Sequence, residues 1–157
     1  MNTLPKESSM VMKPCFCMLI VFLLLPVLVL AEEAPVGSIK TLDGEVVVVR
    51  KDQMLPAAIG MPVFKGDIAQ TSKTGSVGIV FRDDTIISLG PESTLNIAEY
   101  VFEPKTEQFS VLMKMLKGTF VYISGAIGRL SPEAIRLETP SSMIGIRGTK
   151  ILIEVNE

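Results

Sequence analysis

From residue 36 onward the chain is cut into short pieces. No apolar run exceeds four residues, the length of 46–49 (VVVV). Turn residues recur between the runs, at Asp43-Gly44, Gly60, Gly66-Asp67, Gly90-Pro91, Gly118, Ser124-Gly125 and Pro140. Short runs rich in valine and isoleucine form strands more readily than helices, because β-branched side chains are stiff at χ1 and pack well on a pleated surface. Each such strand has an apolar face that must be covered. The expectation is an all-β domain, solenoid-like or sandwich-like, and periodicity leaves both open.

Residues 45–50 (EVVVVR) read as a strand entered from the Asp43-Gly44 turn. Residues 57–68 hold too many glycines and prolines for a helix and read as two bends around a short strand. The clearest hairpin is 76–89. Val77, Ile79 and Phe81 share one face, 82–85 (RDDT) turn the chain, and Ile86, Ile87 and Leu89 return. Leu95, Ile97 and Val101 then alternate with polar or small neighbours. Residues 104–107 read as a loop. Residues 108–116 fit a strand or, over 111–117, a helical turn; the nearness of Gly118 favours the strand. Residues 119–123 (TFVYI) form a further strand.

The block 137–155 reads as strand, turn, strand. Pro140 keeps the residue before it extended. Gly145 and Gly148 admit backbone shapes that other residues resist. Residues 151–155 (ILIEV) are rich in strand formers. A sheet finished by this strand is expected to leave an edge open to a partner's strand.

The N-terminal part is different. Lys6 and Lys13 precede a 17-residue apolar block, 15–31, ending in Ala31 ahead of Glu32 and Glu33. A basic region, an apolar run and a small residue, in that order, make a secretory signal peptide (1–31), with cleavage expected after Ala31. The competing reading is an uncleaved anchor, since about 17–25 residues suffice to span a bilayer. Both cysteines, Cys15 and Cys17, lie in the block, and neither follows the small residues that lipid modification needs. The expected location is periplasmic or secreted, with membrane contact only where the leader stays.

Cleavage leaves 126 residues, 32–157, enough for one domain with a real core. Lys6, Lys13 and Glu7 go with the leader, so 13 basic and 16 acidic residues remain, a net charge of −3. A weakly acidic chain without basic clusters is a poor nucleic-acid binder, because phosphate contacts supply most of that affinity. This part of the chain holds no cysteine and no histidine. It therefore has no disulfide framework, no thiol nucleophile and no triad of the usual kind to activate Ser124, Ser141 or Ser142.

Asp83, Asp84, Asp67 and Glu92 do not match the spacing of a calcium loop, and adjacent aspartates at a hairpin tip are ordinary turn residues. Residues 145–150 (GIRGTK) lack the glycine spacing of a phosphate loop and precede a strand, not a helix. Gly148 reads as a bulge or close approach, and Arg147 as a partner for a carboxylate such as Glu138 or Glu154. Tyr100, Phe102 and Phe109 read as core or cross-strand contacts. No catalytic, metal or cofactor residues are assigned.

Across 36–157 the turns and strands resemble those of the FecR domain, named for a ferric-citrate regulator of the bacterial envelope. The resemblance rests on Gly37, Gly44, Gly60, Gly66-Asp67 after Val63-Phe64-Lys65, the hairpin 76–85, Gly118 after Lys117, Thr139-Pro140, and Arg147-Gly148-Thr149. In the hairpin a glycine commonly follows the aspartate; Asp84 stands there instead, so a less relaxed turn is expected. The resemblance implies a β-rich, solenoid-like envelope domain used in signalling or protein contact; the missing histidines and cysteines of 32–157 argue against an enzyme. The namesake places a sigma-factor-controlling segment before a membrane helix and a transporter-facing part later. With 14 residues ahead of the apolar block and Glu157 as the last residue, neither part is expected here. The function expected is contact with another envelope protein. The alternative is a structural or carbohydrate-binding envelope module without a signalling role.

Overall fold

The structure is a computed structural model and describes residues 33–146 and 150–156. The signal-peptide reading of 1–31 and the signature residues Arg147, Gly148 and Thr149 lie outside the described residues. Glu33–Glu157 forms one compact unit. Twelve strands follow in chain order: β1 (Gly37–Asp43), β2 (Val46–Arg50), β3 (Gln53–Pro56), β4 (Pro62–Val63), β5 (Ile68–Thr71), β6 (Ser76–Phe81), β7 (Ile86–Leu89), β8 (Thr94–Glu103), β9 (Gln108–Ile123), β10 (Ile135–Glu138), β11 (Met143–Gly145) and β12 (Lys150–Val155). The all-β expectation holds.

All twelve strands belong to one sheet, with the order β3-β2-β5-β8-β9-β7-β6-β1-β4. Neighbours are antiparallel except β10, which runs parallel to β9. The 16-residue β9 organises the rest. On one side its first part pairs with β8 and its last part with β7. On the other side β10 pairs with 111–114 and β12 with 118–123. The sheet curls along this strand into a half-barrel. Distant strands thereby meet across the core: the Phe81 and Tyr100 rings stack with centroids 5.3 Å apart. The cover that each apolar face needs comes from the sheet's own curl.

The hairpin β6–β7 follows the alternation read from its sequence, with Val77, Ile79, Phe81, Ile87 and Leu89 buried. Two elements differ from expectation. Residues 108–116 and 119–123 are one strand, not two, because Gly118 bends β9 at φ +100° without ending it. In β8, Tyr100 is buried where Val101 was expected, because the register against β9 shifts between Ile97 and Glu99. The extra residue turns every later side chain to the other face.

A short helix not anticipated from sequence, α1 (Ala126–Leu130), follows β9. It buries Ile127 alone, and no side chain caps it locally. Its first N–H groups go instead to Asp83, with Ala126 N–H donating to the Asp83 carbonyl at 2.7 Å and Ile127 N–H to Asp83 Oδ2 at 3.2 Å. Tertiary contacts hold a helix too short to be stable by itself.

Candidate functional site

The signature residues that sequence singled out occupy the corners of the sheet. Gly66 takes φ +85° in the turn ahead of β5. Asp67 follows, with 1% of its surface exposed. Its Oδ2 accepts the Phe64 N–H at 2.9 Å, closing the turn. Arg50, at the end of β2, grips both carboxylate oxygens, Nε to Oδ1 at 2.8 Å and a terminal nitrogen to Oδ2 at 2.7 Å. The same guanidinium donates to the Pro62 carbonyl at 2.9 Å and lies 4.3 Å over the centre of the Phe64 ring. The hydrogen bond to Asp67 raises the Arg50 pKa above its ordinary value, against the opposing effect of burial. A two-pronged charge-assisted pair fixes orientation as well as energy, so this corner locks β2, β4 and β5 together.

Gly118 forms the second corner. A Cβ there would overlap Ser93, with the Ser93 Cα only 2.5 Å away. The close approach lets Thr119 N–H donate to Ser93 Oγ at 3.0 Å. Ser93 N–H in turn donates to Thr71 Oγ1 at 2.8 Å, and the Thr71 hydroxyl donates to the Gly90 carbonyl at 2.7 Å. Thr139 and Pro140 form the turn between β10 and β11. Thr139 N–H donates to the Ser142 carbonyl at 2.8 Å, and Ser142 N–H donates back to Thr139 Oγ1 at 3.1 Å. Glu138, one expected partner of Arg147, lies 3.6 Å from Lys114 Nζ.

The best-built polar cluster was not singled out by sequence reasoning. Asp83, 1% exposed, sits at the β6–β7 turn with its carboxylate turned inward. Oδ1 accepts the Tyr100 hydroxyl at 2.9 Å and the Thr85 N–H at 3.2 Å. Oδ2 accepts the Thr85 hydroxyl at 2.7 Å and Ile127 N–H. Thr85 Oγ1 also accepts the Gly125 N–H at 3.1 Å. Burial, and next the charge of Asp83, push the Tyr100 hydroxyl far above the ordinary tyrosine range. Burial also raises the Tyr122 pKa, opposed by the Thr85 hydroxyl. Asp84 takes φ +65°, the left-handed conformation that favours glycine.

These polar groups serve the fold's own corners. Tyr100, Phe102 and Phe109 do likewise: Tyr100 stacks on Phe81, and Phe102 pairs across strands with Phe109 at 6.0 Å. Among the described residues no three acidic, cysteine or histidine side chains gather as a metal site would need.

What faces outward is strand edge. Among the described residues, β3 pairs only with β2, β11 only with β10, and β12 only with β9. β4 is a fourth edge, paired only with β1; the other three each carry one exposed large apolar side chain, Met54 on β3, Met143 on β11 and Leu152 on β12. A cleft of about 450 Å³ lies beside β11, lined by Pro132, Ile135, Arg136, Met143 and Ile144 among others.

The chain is thus a curled antiparallel sheet with polar networks at its corners and open strand edges. The family model described as FecR protein matches residues 67–157, more than half of the sequence, and the chain belongs to the FecR family, a family of envelope-associated regulatory domains. A solved structure described as a cell surface anchoring domain is similar to the chain at 35% identity, covering 39% of this chain and 82% of that one, with a TM-score of 0.38. No curated protein matches.

Proposed function

We propose that this is an exported, non-enzymatic FecR domain that acts by contact with another envelope protein, in signalling or regulation. The observation that carries the reading is that three of the four edge strands among the described residues, β3, β11 and β12, each carry an exposed large apolar side chain. An open edge offers unpaired N–H and C=O groups to an incoming strand, and its side chains select among partners. Family membership supports the same reading. The leader at 1–31 delivers the domain to the periplasm or outside, and after cleavage no membrane or nucleic-acid contact is part of the role. Among the described residues no helix is long and apolar enough to cross a membrane.

The test is capture from envelope extract by immobilised Glu33–Glu157, the compact unit that contains the whole core. A defined protein partner, lost when Met54 and Met143 are changed to serine, is the expected result. Retention on peptidoglycan or another glycan, with no protein captured, would replace this reading with a structural or carbohydrate-binding one.

A further inference from the structure

We propose, building on the contact role above, that the outer edge of β12 pairs antiparallel with the β12 of a second copy of this chain. The basis is the arrangement of charge along the strand. Lys150, Leu152 and Glu154 are exposed on one face, whereas Ile153 on the other is buried. Lys150 and Glu154 are opposite in sign and stand at equal distances on either side of Leu152. A two-fold axis through Leu152 therefore sets Lys150 of each copy against Glu154 of the other, Leu152 against Leu152, and Ile151 against Ile153. Every pair lies on one face, as strand pairing requires.

Other registers lose the match. Moving the axis to Ile153 sets Glu154 against Leu152, and moving it to Ile151 sets Lys150 against Leu152. A shift by one residue sets exposed positions against buried ones. A lysine on a strand edge ordinarily discourages pairing. Here the symmetric glutamate turns the same charge into a selector for one partner and one register. The interface is isologous and closes on itself, so it yields a dimer and not a fibre.

Six residues of edge bury less than the roughly 1,600 Å² of an ordinary stable interface. The dimer is therefore reversible and forms in step with concentration, as crowding on a surface or tethering to a common partner would promote. Edges β3 and β11 stay free for a different protein.

Sedimentation equilibrium of Glu33–Glu157 over a concentration series to about 1 mM tests this. The expected result is a monomer–dimer equilibrium. Lys150→Glu leaves two acidic residues and Glu154→Lys two basic ones, so each variant alone dimerises about tenfold or more weakly. An equimolar mixture of the two recovers association, because every facing pair is again opposite in charge. Both positions are exposed, and unchanged circular dichroism confirms that the variants fold. Crosslinking fixes the register independently: Leu152→Cys, alone opposite its own copy, oxidises to a covalent dimer, and Lys150→Cys does not. A monomer at every concentration overturns the proposal, as does a dimer indifferent to both charge reversals or a mixture that fails to recover. A protein that stays monomeric yet captures an envelope partner overturns the dimer and leaves the contact role standing.

Discussion

Tyr100 and Asp83 hold each other twice: the Tyr100 hydroxyl donates to Asp83 Oδ1 at 2.9 Å and accepts the Asp83 backbone N–H at 3.0 Å. The pair joins β8 to the β6–β7 turn across 17 residues of sequence. It brings the turn, α1 and the long strand to one buried point. Removing the carboxylate leaves several buried donors without an acceptor, so Asp83→Ala is expected to cost about 3 kcal/mol or more. Asp84→Ala, at the exposed neighbour, removes no such acceptor and is expected to cost about 1 kcal/mol or less. Urea denaturation of the two variants measures the difference.

Both tyrosines of the chain titrate above their ordinary range when folded, because burial disfavours the phenolate. The folded state then holds protons that the unfolded state releases. Stability is full below the unfolded tyrosine pKa of about 10 and falls as pH rises beyond it. Each group adds up to about 1.4 kcal/mol per pH unit to the slope between its unfolded and folded pKa values. Phenolate absorbance tracks this directly: it stays low in the folded domain up to the unfolding pH, then rises together with loss of the β signal. Tyr100→Phe removes one group and lessens the slope.

Glycines of the signature differ in what they cost to replace. Gly118→Ala adds both left-handed strain and a collision with Ser93, and is expected to destabilise by about 3 kcal/mol. Gly66→Ala meets nothing within 4 Å and carries strain alone, about 1 kcal/mol. Asp84→Gly is expected to stabilise by about 0.5 kcal/mol, relief at φ +65° being partly offset by greater freedom in the unfolded chain. Thermal unfolding of the three variants gives the order.

The sequence carried those elements whose cause is local. Alternation fixed the faces of the β6–β7 hairpin, and glycine and proline marked the corners at Gly66, Gly118 and Pro140. What it did not carry depends on residues far apart. The phase of β8 changes at one extra residue opposite β9, so the alternation of Leu95, Ile97 and Val101 did not place Tyr100 on the buried face. The partnership of Arg50 with Asp67 spans 17 residues, and nothing near either one announces it. Asp83 reads as an ordinary turn aspartate until the fold brings Tyr100 and Ile127 to it. A valine strand ending in arginine, followed by a glycine-aspartate turn, is the sequence pattern that accompanies the Arg50–Asp67 pair.

Arg50 and Asp67 form the charged pair at the β2–β5 corner, with the Asp67 side chain 2% exposed and Arg50 25%. Arg50→Ala strands the buried carboxylate and is expected to cost about 3 kcal/mol or more. Arg50→Lys keeps the charge but loses the fork and the stacking on Phe64, and is expected to cost about 1–2 kcal/mol. The double change Arg50→Met with Asp67→Leu removes both charges and is expected to recover much of the loss. A double-mutant cycle in urea measures the coupling.

Amide hydrogen exchange along β12 (Lys150–Val155) tests the central claim most directly, namely that the sheet's open edge is its working surface. In dilute solution every second amide of β12 should exchange as fast as an exposed strand, while those bonded to β9 stay protected. The fast set should gain protection as concentration rises or a partner is added. Full protection of every β12 amide in a dilute, lone monomer would show an edge already closed and would contradict the account.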